Sequence, residues 1–298
     1  MGDEAQFALS LIVSGLSIGL MYSLIALGFV LVYKATDAIN FSQGEFVMLA
    51  GFVAAVTLSV DGVPALVAVA AAIAVMVLFS FALERIVLRP LLGRPIIAVI
   101  MATIGLGAML RGLPPITVGG ETRAVSLNIG DLPIGFGPIS LPPVQVLGVA
   151  VTLGFLALFT WFFLKSRMGI AMRAVADNQQ VAMAMGINVE RYFALAWAMA
   201  GIVSALGGVI WGSMLGVDVH LALVGLKVFP VVILGGLDSV LGAIVGGLIV
   251  GVVESLAAGY LDPYVGGGTK DFAPYVLMII ALMFKPYGIF GTHRIERV

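Results

Sequence analysis

"ILGGLDSVLGAIVGG", Ile233 to Gly247, decides how the rest of the chain is laid out. The sequence is apolar on either side of it. Inside it Gly235 and Gly236 stand together, and Asp238 and Ser239 follow. Paired glycines and Asp-Ser stop a helix, and Ser239 is suited to cap the next one. The stretch predicts a short half-helix that enters, a turn at Gly235–Gly236, and a full helix that leaves. Non-helical backbone at membrane depth survives only where protein buries it or a watery cavity meets it. Beyond the turn, Gly242, Gly246, Gly247 and Gly251 make overlapping small-xxx-small patterns. Such patterns let another helix approach closely.

The composition demands a bilayer around this turn. Of 298 residues, 61% are hydrophobic and 10% charged, against roughly 25% charged in soluble domains. Mean hydropathy is +1.16. Several runs approach the ~20 apolar residues that cross a membrane as helix. The net charge of −1 offers nucleic acid no attracting field. There are no cysteines, so disulfides, thiolate metal sites and cysteine nucleophiles are excluded. His220 and His293 are too far apart in sequence to offer a metal-ligand spacing. The opening "MGDEAQ" is acidic and lacks the basic stretch of a cleaved signal peptide, so the first helix is expected to stay in the membrane.

Working outward, apolar runs predict spans at about Phe7–Val32, Ser42–Val60, Pro64–Leu83, Ile96–Leu110, Val144–Leu164, Phe193–Leu215, Val228–Leu234, Val240–Ala258 and Pro274–Phe284. The fold class is therefore all-α and polytopic, with about eight or nine membrane segments in one transmembrane domain over 1–298. Lys34, Arg85, Arg89, Arg94, Lys165, Arg167, Arg173, Arg191, Lys285, Arg294 and Arg297 fall on one side if the N-terminus lies outside. Asp3, Glu4, Asp61, Glu121, Asp131, Asp218, Asp262 and Asp271 fall on the other. The C-terminus and 165–192 are then cytoplasmic. Residues 112–143, rich in Pro and Gly, become an external cap with some β-structure.

Several polar residues are candidates for function. In "NFSQGEF", Asn40–Phe46, Ser42 and Glu45 have the spacing of a capping box, with Phe41 and Phe46 as its hydrophobic staple. Capping alone is one reading. The other is that Asn40, Gln43 or Glu45 also lines a substrate pathway. Glu254 lies about 22 Å along the helix from Ser239. A carboxylate inside a membrane is a functional candidate, and a tie to a neighbouring helix or a position near the outer interface is the alternative. Lys227 is expected to snorkel outward, and Arg111 and Glu84 to anchor at interfaces. "VGGGTKD", Val265–Asp271, lacks the Gly-Lys-Ser/Thr order of a phosphate loop. No catalytic constellation and no cofactor fingerprint is present, so neither an enzyme nor a cofactor is expected.

The polar stretch "KSRMGIAMRAVADNQQVAMAMGINVERY", Lys165–Tyr192, interrupts all this apolar sequence. Ala171–Met185 is expected to form one helix, closed by Gly186 in the left-handed region, with Asn188 capping the next span. Arg173, Asp177 and Gln180 would share one face. Ala174, Val175, Val181, Ala182 and Met185 would group elsewhere, with Asn178 among them. Small residues, methionines and mixed charge suit docking into a protein groove better than lying on lipid. An ordinary polar loop is the alternative.

These segments together carry a resemblance. "GLMYSLIALGFVLVYKATDAINFSQGEFVMLAGF", "GIAMRAVADNQQVAMAMGI", "VVILGGLDSVLGAIVGGLIVGVVES" and "KPYGIFGTHRIERV" occur in order along nearly the whole chain. The chain resembles the LivH-type integral-membrane permeases of branched-chain amino-acid ABC importers. That resemblance implies an inner-membrane subunit paired with a second, related permease. It further implies two cytoplasmic ATPases and an external substrate-binding protein as partners. It makes Gly169–Ile187 the coupling helix that seats in an ATPase. Permeases for urea or short amides look similar. A secondary transporter or channel without ATPases is the rival class, since broken helices are common there too.

Overall fold

The computed structural model describes residues 3–91, 94–130, 132–137 and 139–292. Asp131, His293, Arg294 and Arg297, used in the charge and histidine readings, lie outside the described residues. The protein is an all-α polytopic membrane protein. Its helices are α1 (Asp3–Thr36), α2 (Gln43–Leu58), α3 (Ala65–Leu83), α4 (Ile96–Thr117), α5 (Pro143–Lys165), α6 (Arg167–Asp177), α7 (Gln179–Ala184), α8 (Val189–Leu215), α9 (Leu223–Gly235), α10 (Val240–Tyr260), α11 (Asp262–Val265) and α12 (Thr269–Phe284). Among the described residues, six helices (α1, α3, α4, α5, α8 and α10) are long and apolar enough to span a bilayer. Two shorter apolar segments, Gln43–Leu58 and Val219–Gly235, accompany them. α3, α4 and α5 are mostly unburied and display Leu78, Ile97, Met109, Leu158 and Trp161. Apolar surface on that scale belongs in lipid.

Two compact units result. The first comprises Met1–Val30, Ile129–Leu153 and Lys227–Val298. Its centre is a crossing of α1 and α10 made of glycine on glycine. A Cβ on Gly15 would lie 2.7 Å from the Gly251 carbonyl oxygen, and one on Gly251 would lie 2.5 Å from Gly19 N and Cα. Only glycine permits two helix backbones to lie so close, and dispersion across the wide contact replaces the missing side chains. Ser23 Oγ lies 2.8 Å from Gly19 O and 3.2 Å from Ile244 O, so a hydroxyl joins the same pair. Phe7 and Tyr260 meet edge to face at 5.7 Å further along. A short hairpin pairs β1 (Ile134–Phe136) with β2 (Ile139–Leu141), the β-structure expected of 112–143.

The turn at Gly235–Gly236 forms as the sequence requires. α9 ends at Gly235, Gly236 adopts φ +107°, and Ser239 Oγ accepts the Gly242 N–H at 3.0 Å. The last carbonyls of α9 are not orphaned. Leu234 O accepts from Ile289 N at 2.8 Å, and Gly235 O from Phe290 N at 3.0 Å. Asp238 accepts from the N–H and hydroxyl of Thr292. The stretch after α12 thus supplies the donors a broken helix needs.

α12 begins earlier than Pro274, at Thr269. Gly266, Gly267 and Gly268 take φ values of +84°, +115° and +84°, and Asp262 Oδ1 then accepts the Thr269 N–H at 2.8 Å. Hydrogen bonds from the Thr269 hydroxyl and N–H hold the Asp262 carboxyl below its ordinary range.

The second unit comprises Leu31–Asn128 and Gly154–Leu226. α8 is buried over most of its length. Against it α3 turns a stripe of Ala68, Ala72, Met76 and Ser80, spaced four apart. A Cβ on Gly201 would lie 2.7 Å from Met76 O, so this contact too depends on a missing side chain. Phe46 of α2 packs on Phe79 at 5.4 Å and Trp197 at 6.1 Å. α3 runs on as a π-turn, Glu84–Leu88, and a 3-10 turn, Arg89–Leu91. Glu84 does not anchor at an interface. It is buried, and Arg89 Nε and Nη2 hold its two oxygens at 3.2 and 3.1 Å.

Candidate functional site

The capping box read into "NFSQGEF" does not form. Ser42 stands at the N-cap of α2 with no side-chain cap bond. Its hydroxyl donates to Asn40 Oδ1 at 2.7 Å, and its N–H reaches the same oxygen at 3.1 Å. Asn40 thus competes for the serine that should have capped the helix. Asn40 Nδ2 donates to Gln43 Oε1 at 3.0 Å, and Gln43 Nε2 to Ser204 Oγ of α8 at 2.9 Å. Phe41 N–H donates to Thr103 Oγ1 of α4 at 3.3 Å. Asn40, Ser42, Gln43 and Ser204 are fully buried, so the network fixes α2 against α4 and α8 in a setting where polar groups need partners.

Glu45, the other half of the expected box, is drawn away by Arg111. Arg111 Nε lies 2.6 Å from Glu45 Oε1. The Glu45 side chain is 3% exposed and that of Arg111 48%. Arg111 is therefore a partner for an intramembrane carboxylate and not a simple interfacial anchor. Gly107 makes room, because a Cβ there would sit 3.2 Å from the Glu45 carboxyl.

A second charged cluster lies in the first unit. Lys227 does not snorkel away. Its Nζ lies 3.2 Å from Glu254 Oε1 and 2.7 Å from Asp271 Oδ1, tying α9 to α10 and α12. Glu254 is thus tied to a neighbouring helix through Lys227.

The polar segment 165–192 folds as two helices, not one. Ser166 caps α6 by accepting the Gly169 N–H at 2.9 Å. At Asn178 the chain becomes extended (φ −157°, ψ 106°), and the Asn178 side chain caps α7 through Val181 N–H at 3.0 Å. The break removes Gln180 from the face of Arg173, whereas Asp177, the last residue of α6, keeps its i+4 place beside Arg173. Gly186 closes α7 at φ +82°. Its N–H reaches Met183 O, and Ile187 N–H reaches Ala182 O, the two bonds of a Schellman motif. Asn188 caps α8 as expected, through Arg191 N–H at 3.2 Å.

The expected faces of this segment are redrawn. Arg173 Nη1 donates to Phe163 O at 2.6 Å, and its guanidinium lies over the Phe163 ring at 5.5 Å. Arg173 is thus spent inside the chain, fastening α6 to the end of α5. Ala174 is half-buried and Asp177 exposed. Val175 and Ala182 are buried, whereas Val181 is 57% exposed, Met183 54% and Met185 77%. Gln179 Nε2 fastens α7 through Ala35 O at 3.1 Å. What remains outward is apolar in several places: Val181 and Met185 one turn apart, Met183 on another side of α7, and Met168 and Ile170 on α6. The grouping of Val175 with Val181 fails because the two lie on different helices.

Sequence reading missed the partners Arg111 and Lys227, and it missed Gln145 and Thr152 of α5, both buried. An i, i+7 spacing of polar residues in an apolar span was the available signal for the last two.

A family model described as "Branched-chain amino acid transport system / permease component" matches residues 11–283. The high-affinity branched-chain amino acid transport system permease protein BraD of Pseudomonas aeruginosa is 33% identical over 311 aligned positions, covering 99% of each chain. The corresponding protein LivH of Escherichia coli is 31% identical over 313 positions, covering 100% of each. The structure of PsaBC from Streptococcus pneumoniae in complex with Fab superposes with a TM-score of 0.51 at 12% identity, covering 94% of this chain and 92% of that one. That likeness concerns the fold alone.

Proposed function

Because the chain belongs to the permease-component family of branched-chain amino acid transport systems, we propose that it is the membrane-spanning subunit of an ABC importer for branched-chain or related neutral amino acids. It carries no catalytic site of its own. It pairs with a second, related permease, receives substrate from an external binding protein, and is driven by two cytoplasmic ATPases. It sits in the bacterial inner membrane with its N-terminus outside and its C-terminus in the cytoplasm. Residues 112–143 form the external cap, and residues 165–192 the coupling segment.

The observation that carries the ATP-driven reading is the exposed apolar pair Val181 and Met185, one turn apart at α7. The pair is exposed on a polar segment that is otherwise capped and fastened. A transporter working without ATPases has no use for such a pair. ATP binding shifts a permease between states only through differential contact, and a held segment transmits contact better than a loose loop. Methionines adapt to a partner's surface.

Val181→Glu combined with Met185→Glu tests this. Both side chains are exposed, and exposed substitutions usually change stability by no more than about 0.5 kcal/mol. The variant should insert and fold as the wild type does. In a gentle detergent extract it should retain less than about a tenth of the co-purifying ATPase, as expected when a charge is buried unpaired at an interface. Undiminished ATPase would sink the coupling role.

Orientation has its own test. The chain lacks cysteine, so Ser126→Cys, Ser166→Cys and Thr292→Cys can each be probed alone with an impermeant thiol reagent on cells whose inner membrane is intact. Only Ser126→Cys should react. Reaction at Ser166→Cys would reverse the proposed orientation.

A further inference from the structure

Polar side chains inside a membrane protein need partners, and the buried residues of α2 all have them. α5 is different. Gln145 is 7% exposed and Thr152 is 0% exposed. Neither Gln145 Oε1 nor Thr152 Oγ1 has a hydrogen-bond partner among the described residues. Thr152 is the more telling of the two. A serine or threonine hydroxyl in a membrane helix ordinarily donates to the carbonyl four residues back. Ser17, Ser23, Thr36, Thr57 and Ser204 all do so, at 2.7 to 2.9 Å. Thr152 does not. A buried polar group without a partner is destabilising and calls for a reason.

The two residues share a face. Gln145, Gly148 and Thr152 stand at i, i+3 and i+7, and Gly148 between them is buried and adds no side chain. We propose that this face of α5 lines the route of the transported amino acid, and that Gln145 Oε1 and Thr152 Oγ1 accept hydrogen bonds from its ammonium group in passing. The proposal rests on the functional reading above.

An ammonium carries three donors and no acceptor, so orphaned acceptor oxygens suit it. Seven residues of helix separate the two oxygens' backbones by about 10 Å. A single amino acid does not reach across that distance, so they are successive stations, covering roughly a third of a ~30 Å hydrocarbon core. Both groups are neutral. A carboxylate would hold an ammonium strongly, whereas conduction needs sites weak enough to leave. Glu45 is already held by Arg111, and Glu254 by Lys227 through Oε1, although Glu254 Oε2 has no hydrogen-bond partner among the described residues.

The test uses the whole importer, with its ATPases and binding protein, in lipid vesicles. Thr152→Val keeps the shape and removes the hydroxyl, and Gln145→Met nearly keeps the volume and removes the amide. Each should lower leucine uptake by about tenfold, the effect of one lost hydrogen bond. The thermal stability of the purified complex should stay level or rise, because an orphaned polar group has gone. Thr152→Cys should react with a small cationic methanethiosulfonate, and more slowly while substrate is being transported. A structural role predicts the reverse pattern, with stability falling alongside uptake, and that result overturns the proposal. Wild-type uptake in Thr152→Val, or an unreactive Thr152→Cys, overturns it equally. Wild-type vesicles that import no neutral amino acid would instead overturn the functional reading, and the ammonium ligand with it.

Discussion

A Gly236→Val protein should reach the membrane and fail to assemble. Gly236 holds φ at +107°, a region that a β-branched residue enters only with strain. Its missing Cβ would also lie 2.5 Å from Gly291 N and 2.7 Å from Gly291 Cα. Backbone atoms cannot rotate out of the way as side chains can. Strain and overpacking each contribute about 1–3 kcal/mol. Loss of the Ile289 and Phe290 donors to α9 would add to both, since their register depends on that approach. Insertion should survive because the apolar runs are unchanged. The monodisperse fraction of a detergent extract should fall to a small residue of the wild type. Gly105→Ala is the control, for open space surrounds Gly105, and it should behave as the wild type. A Gly236→Val protein as stable as the wild type would mean that the chain does not turn there.

Arg111→Met should be nearly as damaging, through charge. Glu45 is buried, and Arg111 is the cation beside it. Removing one partner of such a pair leaves an uncompensated charge, at a penalty of about 3–5 kcal/mol for a fully buried pair and less here because Arg111 is half exposed. Glu45→Gln in the same chain removes the stranded charge. The double variant should therefore regain most of the lost thermal stability, although it has lost both charges. Equal stability for the single and double variants would show that the pair does not act as a unit.

Local sequence signals were legible where one turn of chain sufficed to satisfy them. Ser239, Asn188 and Gly186 cap as expected because each needs only neighbours within a few residues. The glycines of α10 were readable as a close-packing face, but Gly15 and Gly19 as their counterpart were not, since sequence does not show which helix crosses which. Ser42 shows how a good local signal loses. Asn40, two residues away, offers its hydroxyl a better acceptor, and Arg111, 66 residues on, takes the carboxylate of Glu45. Lys227 and Glu254 are likewise joined only by tertiary packing. Asn178 was read as a member of a helix face, yet an asparagine that can cap is also one that can break. The candidate pathway residues Asn40, Gln43 and Glu45 were chosen for being polar in apolar surroundings. Partners, not polarity, separate them from Gln145 and Thr152.

The central claim is that ATP hydrolysed on partner subunits drives uptake through this chain by way of α7. Leucine uptake and ATP hydrolysis should be measured together in vesicles containing the permease pair, the ATPases and the binding protein. With wild-type chain, uptake should require ATP and stop when the ATPases are omitted. With Val181→Glu/Met185→Glu, uptake should fall by about a hundredfold, the loss expected when about 3 kcal/mol of interface contact is removed. Uptake that persists without the ATPases, or that the variant leaves unchanged, would contradict the account.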